Sequence, residues 1–138
     1  MKNIVIIDYD CGNILSLKRA LSKINLDSKL SRNTNEISNA THLILPGVGA
    51  FGSAMNLLKK YKLTNIIKDH AKKGKPLLGI CLGMQLLLTK SFEFGETEGL
   101  NLIEGKVEKI TDQTSRKIKV PHIGWSEINF EKEKKLFN

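Results

Sequence analysis

The segment Gly79-Ile80-Cys81-Leu82-Gly83-Met84-Gln85 places a cysteine between two glycines. It lies where a short apolar stretch, Leu77 to Ile80, gives way to a segment of helical character from Met84 to Lys90. A G-x-C-x-G spacing at such a corner has the form of the nucleophile elbow that carries serine in G-x-S-x-G hydrolases. The glycines have a steric purpose, because a nucleophile projected from a tight turn needs neighbours without Cβ atoms if strand and helix are to approach closely. The corner would also set Cys81 at a helix N-terminus, where backbone N–H groups favour negative charge on a thiolate or on an adjacent oxyanion. The chemistry suited to that position is acyl transfer through a thioester. A small buried cysteine between packing glycines is the alternative the spacing leaves open. Cys11, in Tyr9-Asp10-Cys11-Gly12-Asn13, reads as a turn or core residue.

A tetrahedral intermediate needs two N–H donors near its developing O⁻, and one usually belongs to the residue after the nucleophile, here Leu82. The other must come from a loop at a neighbouring strand end. Leu45-Pro46-Gly47-Val48-Gly49 supplies the candidate: the glycines flanking Val48 permit its peptide to turn its N–H toward the site. As a phosphate loop this segment fails, since no Gly-Lys-Ser/Thr follows. Cys11 and Cys81 are far apart in sequence and lack CxxC or Cys/His spacing, so neither a metal site nor a structural disulfide is expected.

These groups must be held by the elements around them. Asn3 to Asp8 is a β-branched run ending in an acid, as in a buried parallel strand that delivers a polar residue to the sheet's carboxyl edge. Ile14, Leu17, Ala20, Leu21 and Ile24 recur at helical spacing and predict a helix over Ser16 to Ile24. Asp27 to Leu30 reads as a short strand, Asn33 to Asn39 as a polar stretch with cap-like residues, and Thr41 to Leu45 as a buried strand stopped by Pro46. Ser53 to Lys60 and Leu63 to Lys73 are helical, broken near Tyr61. The alternation predicts an α/β fold of flavodoxin-like type, a doubly wound, mostly parallel sheet with ligands at the strands' carboxyl ends. Ile103 to Thr111, Lys117 to Val120 and Gly124 to Phe130 read as strands, so an antiparallel excursion is expected after about residue 100.

The chain's 138 residues, 41% of them hydrophobic, suit one domain with a real core. A formal charge of +8 raises nucleic-acid binding, but the lysines are dispersed, and solvated faces or an anionic partner or substrate account for them better. No apolar run approaches the ~20 residues that span a bilayer. The N-terminal apolar stretch is too short for a signal peptide, and a cytoplasmic protein is expected.

The sequence resembles the class I (triad-type) glutamine amidotransferases, and among them the glutaminase subunits of imidazole glycerol phosphate synthases. Asp8-Tyr9-Asp10-Cys11-Gly12-Asn13, Leu45 to Phe51, Gly79 to Leu87, Glu98 to Val107 and Lys119 to Trp125 match the family's blocks in order over nearly the whole chain. The resemblance implies hydrolysis of glutamine to glutamate and ammonia without a cofactor, the ammonia passing to a (β/α)₈ synthase that is the heterodimer partner in histidine biosynthesis. It makes Cys81 the nucleophile, gives Val48 and Leu82 the oxyanion-hole N–H groups, and places Gly49, Gln85 and Glu93 against the glutamine substrate. A carboxylate such as Glu93 is suited to pair with the α-ammonium group; a solvated glutamate is its alternative. His122 and Trp125 fall in the block that the family turns toward the synthase.

Two departures stand out. The family's histidine and glutamate, a His-Pro-Glu segment that activates the cysteine, occur nowhere in the sequence, and His122 is not at the family's position for a base. Residues 1–138 thus read as a single glutamine amidotransferase domain without its C-terminal third, of little or no activity alone. Asp10 stands where the family's first turn has glycine, a position Asp tolerates because it adopts positive φ more readily than most residues. Rival readings are a paralogue feeding a surface-sugar amination synthase, a degenerate non-catalytic module that binds a synthase, and a cysteine-elbow hydrolase or redox protein of related fold.

Overall fold

The computed structural model describes residues 2–109 together with Gly124, Trp125 and Glu127. The chain opens with β1 (Ile4–Ile7), α1 (Ile14–Lys23), β2 (Ser28–Ser31), α2 (Thr34–Asn39) and β3 (His42–Leu45). Then follow α3 (Phe51–Lys60), α4 (Thr64–Lys72), β4 (Leu77–Gly79), α5 (Leu82–Leu86), β5 (Leu88–Ser91), β6 (Thr97–Glu98) and β7 (Ile103–Val107). Asparagines start the first two helices: Asn13 accepts from the Ser16 N–H before α1, and Asn33 accepts from Asn35 and Glu36 before α2. The polar stretch 33–39 is therefore a short helix.

Four strands form a parallel sheet in the order β2-β1-β3-β4. All of β1 is buried, and its β-branched run fills both faces. Val5 and Ile7 pack with Leu43, Leu45, Ile37, Met55, Leu58 and Ile67 on one side, and Ile4 and Ile6 pack with Ile44 and α1 on the other. This is the doubly wound α/β arrangement expected from the alternation. Strand order reverses between β1 and β3, so the chain leaves these neighbours in opposite directions and a crevice opens beyond their carboxyl ends.

The second sheet differs from expectation in detail. Its order is β6-β5-β7, with β5 and β6 antiparallel and β5 and β7 parallel. The antiparallel pairing thus falls before residue 100. The helix expected over Met84 to Lys90 is instead α5 followed by β5. The returning segment gives the reason: Leu100 N–H donates to the Leu86 carbonyl and Leu102 N–H to the Leu87 carbonyl, both at 2.8 Å, taking acceptors that another helical turn would need. The end of the strand expected to reach Thr111, the strand Lys117 to Val120, and all of Gly124 to Phe130 except Gly124, Trp125 and Glu127 lie outside the described residues. No helix among the described residues is long and apolar enough to cross a membrane.

At the sheet's amino edge, His70 is 3% exposed. Its Nε2 donates to the Pro76 carbonyl at 3.1 Å, which leaves Nδ1 as the unprotonated nitrogen, buried without a partner among the described residues. Burial holds this imidazole below the usual histidine range, and the positive charge of Lys75 adds to the effect. Protonation would create an N–H with no acceptor among the described residues. Because the unfolded chain takes up this proton more readily than the folded one, stability is complete above about pH 6.5 and declines as pH falls below it. Urea unfolding between about pH 7 and pH 5 is expected to show that decline, with a smaller slope in His70→Phe; equal slopes would remove His70 from the account.

Candidate active site

Beyond β4 the chain turns sharply. Ile80 N–H donates to the Leu45 carbonyl at 3.0 Å, extending the β3–β4 ladder by one bond, and Cys81 then adopts φ 56° and ψ −119°. A non-glycine residue in that region costs about 1–3 kcal/mol and persists only where its surroundings enforce it. Here they do. Gly83 N–H closes the turn onto the Ile80 carbonyl at 2.9 Å, and a Cβ on Gly83 would stand 1.8 Å from the Leu45 oxygen. A Cβ on Gly79 would meet the Met84 Cα at 2.6 Å. Strand and helix are therefore as close as backbones allow, and Cys81, exposed, projects from their junction. Leu82 begins α5, so its N–H has no acceptor inside the helix and stands beside the Cys81 backbone.

The loop after β3 lies against this elbow. A Cβ on Gly47 would be 2.7 Å from the Gly83 nitrogen and 2.9 Å from both the Leu82 Cβ and the Tyr9 hydroxyl. From the end of β1, Tyr9 donates its buried hydroxyl to the Pro46 carbonyl at 2.5 Å. Burial pushes this phenol above the ordinary tyrosine range, which keeps it a donor. Cys11 Sγ donates to the Val48 carbonyl at 2.9 Å and accepts from the Val48 N–H at 3.5 Å. These bonds bridge the β1–β3 crevice. Val48 itself is 53% exposed, and Gly49 has φ +90° with open space around it.

The far end of the same loop reaches Glu93. Phe51 begins α3 after Ala50, which offers no side-chain cap, and the Phe51 N–H instead donates to Glu93 Oε2 at 2.9 Å. Glu93 thus caps a helix across the fold and lines a small cleft with Ala50, Gly52, Ser53, Ser91 and Thr97. One loop, Pro46 to Phe51, therefore rests through Gly47 on Leu82 and Gly83 of the elbow and reaches Glu93 through Phe51 at its far end, with Val48 and Gly49 between. Gln85 follows on α5, half-buried.

The departure at Asp10 also has a physical account. Asp10 has φ 61°, and its carboxylate is held by Arg32 Nη2 at 2.5 Å and by the Tyr61 hydroxyl. Arg32 also binds Asp8 Oδ2 at 2.8 Å and stacks over the Tyr61 ring at 4.3 Å. Arg32 and Tyr61 hold the Asp10 carboxyl below the usual carboxylate range. A turn that glycine makes by conformational freedom is made here by a side chain tied down on both oxygens.

Among the described histidines, neither stands near the elbow. His42 begins β3 and His70 bonds Pro76 just before β4, so both sit at the amino edge while Cys81 follows the carboxyl edge. His122 lies outside the described residues, and Trp125 is fully exposed. The residues that sequence reading passed over are Tyr9 as a loop anchor and the Asp10–Arg32–Tyr61 cluster. Their signal lay in the neighbourhood of β1 and β3, which no local pattern reports.

Comparison with known proteins places this geometry in context. The glutamine amidotransferase class-I family model matches residues 5–138. Proteins described as imidazole glycerol phosphate synthase subunit HisH are similar to the chain. That of Oceanobacillus iheyensis is 46% identical over 98% of this chain and 65% of its own length. That of Lactococcus lactis is 48% identical over 96% of this chain and 63% of its own. That of Lacticaseibacillus casei is 52% identical over 89% of this chain and 58% of its own. The chain thus spans about three fifths of the length of these curated relatives. In solved structures, a crystal structure of a glutamine amidotransferase superposes with a TM-score of 0.65 at 23% identity, covering 81% of this chain and 58% of that one. A putative peptidase E from Listeria monocytogenes gives 0.60 at 15% identity, covering 74% and 63% respectively. At those identities the two structures speak to the fold alone.

The contacts around the loop set two expectations for equilibrium unfolding. Gly83→Ala, which must separate the elbow from β3, is expected to destabilise by about 3 kcal/mol or more. Glu93→Ala, which removes only a helix cap, is expected to cost about 1 kcal/mol. Equal effects would contradict the packing described.

Proposed function

The chain belongs to the class-I glutamine amidotransferase family, and from that premise we propose that it is the glutaminase subunit of an imidazole glycerol phosphate synthase, working in the cytoplasm. The strained, exposed Cys81 between close-approach glycines is the observation that carries the reading. In this reading the Cys81 thiolate adds to the side-chain carbonyl carbon of glutamine, and the oxygen takes up negative charge facing the Leu82 N–H and, once it is turned in, the Val48 N–H. The C–N bond then breaks, ammonia departs carrying the proton that the Cys81 thiol gave up, and water hydrolyses the γ-glutamyl thioester to glutamate and the free thiol. Glu93 pairs through its remaining oxygen with the substrate's α-ammonium group, while Gly49 and Gln85 border the bound side chain. Ammonia passes to a (β/α)₈ synthase subunit, the heterodimer partner and the site of the lyase chemistry of histidine biosynthesis, with His122 and Trp125 on the partner's side.

The reading needs a base to take the Cys81 proton and return it to the leaving nitrogen. The described residues offer no histidine at the carboxyl edge, which favours a second reading for residues 1–138 alone: a module that binds the synthase and turns over little glutamine. One experiment addresses both. Glutamate formation is measured for the chain, for Cys81→Ala and for an intact HisH relative, each with and without the imidazole glycerol phosphate synthase partner. The chain is expected to bind that partner and to turn over glutamine at least ~10⁴-fold more slowly than that relative, because both the base and the acid that orients it are missing from the triad. Glutamate production that survives Cys81→Ala, or binding only to a sugar-aminating synthase, would overturn the proposal.

A further inference from the structure

We infer that Ser91 is a positioning residue whose hydroxyl, by holding the main chain of Glu93, aims the Glu93 carboxylate at the α-ammonium group of the substrate; this rests on the reading of Glu93 as that group's partner. Ser91 ends β5, the middle strand of its sheet, and is 1% exposed although polar. Successive residues of β5 turn their backbone groups to opposite neighbours. Phe92 N–H donates to the Val107 carbonyl of β7 at 2.9 Å, whereas the Thr89 carbonyl accepts at 2.8 Å from the N–H of Gly99, which follows β6. Glu93 therefore turns its N–H toward the β6 side, where the hairpin bends and Gly95 takes φ +105°. In place of a strand carbonyl, that N–H donates to Ser91 Oγ at 3.2 Å. The side chain two residues earlier thus fixes where the Glu93 main chain leaves the sheet.

The carboxylate is held from the other end. Phe51 N–H occupies Oε2 at 2.9 Å, so Oε1 is the oxygen left for a ligand. Glu93 spans two fixed points, its main chain on β5 and its carboxylate on α3, and the cleft lies along that span. Ser91 lines the floor of the cleft with Thr97, its partner in register on β6, whose Oγ1 stands 3.4 Å from where a Cβ on Gly52 would be. A small hydroxyl residue suits that floor, because it satisfies the Glu93 N–H and leaves room above it. Without the hydroxyl, the Glu93 N–H must seek water, and the main chain that moves to reach it carries the carboxylate off its place. Ser91 needs no contact with the substrate for this; its effect passes through Glu93. A carboxylate fixed in advance loses less freedom on binding than a mobile one, so the contribution is to affinity for the charged group alone.

The test separates the α-ammonium group from the rest of the ligand. Dissociation constants of glutamine and of glutaramic acid, which is glutamine without its α-amino group, are measured by NMR titration of the 138-residue chain. Their ratio isolates the interaction with the ammonium, because damage to the fold or to the remainder of the cleft weakens both ligands alike. The unsubstituted chain is expected to prefer glutamine, and Glu93→Gln to lose that preference. Ser91→Ala is expected to reduce it about three- to tenfold, the order of one hydrogen bond. Ser91→Cys, which keeps nearly the same volume but offers only a weak acceptor, is expected to reduce it in the same direction, and Ser91→Thr, which keeps the hydroxyl, to retain it. An unchanged ratio in Ser91→Ala, or in Ser91→Cys should the alanine variant not fold, would overturn the positioning role and leave the reading of Glu93 standing; so would an equal loss in Ser91→Thr. Failure of the underlying reading is distinguishable: in that case the unsubstituted chain shows no preference for glutamine, or Glu93→Gln keeps it, and the proposal falls with it.

Discussion

Between Gly83 and the Leu45 carbonyl there is no room for a single carbon atom. The candidate site depends on that contact. It fixes how near α5 comes to the end of β3, and the Ile80-to-Leu45 hydrogen bond holds the strand side of the elbow in register with it. With both sides fixed, the only path from β4 into α5 runs through a left-handed residue. Cys81 bears that strain because the buried β3–β4 pairing and the packing of Leu82 and Leu86 into the core outweigh it.

The same constraint governs the loop that follows β3. Gly47 rests on the elbow, Tyr9 holds Pro46 from below, and Glu93 closes the start of α3 at Phe51. Val48 and Gly49 lie between these fixed points, exposed and with space around them. On the proposed reading, a rigid elbow beside a loop with one compliant stretch suits acyl transfer, because the nucleophile would keep its geometry while an N–H donor is redirected as charge develops. The strand order contributes as well. Because β1 and β3 are neighbours whose chains depart in opposite directions, side chains from the turn after β1 reach the loop after β3 across the crevice. Asp10, tied to Arg32 and Tyr61, sets the shape of that turn and so the placement of Tyr9 and Cys11 on either side of it.

The sequence made much of this readable, for identifiable reasons. The β-branched run Ile4 to Ile7 read as a buried parallel strand, and Gly79-x-Cys81-x-Gly83 read as a corner of close backbone approach because its spacing answers a local steric demand. Pro46-Gly47-Val48-Gly49 marked a loop able to turn a peptide, and the glycines at its ends do serve different purposes, one packing and one conformational. What could not be read came from contacts distant in sequence. The helix predicted to run to Lys90 stops at Leu86 because residues from Gly99 onward return to take its carbonyls, and periodicity within Leu86-Leu87-Leu88 carries no trace of that competition. Glu93 read as a ligand group or a solvated acid, yet it also caps a helix that begins far earlier in the chain. Cys11 read as a turn or core residue; that it engages both the N–H and the carbonyl of Val48 follows from the strand order alone.

On the proposed function, the Cys81 elbow receives an acyl group and its oxyanion. Crystallography of the chain after reaction with a chloromethyl ketone analogue of glutamine would test it most directly. A covalent bond to Cys81 Sγ is expected, with the left-handed Cys81 backbone retained and the ketone-derived oxygen within hydrogen-bonding distance of the Leu82 N–H. Attachment at another residue, or an adduct on Cys81 whose oxygen faces away from Leu82 into solvent, would contradict it.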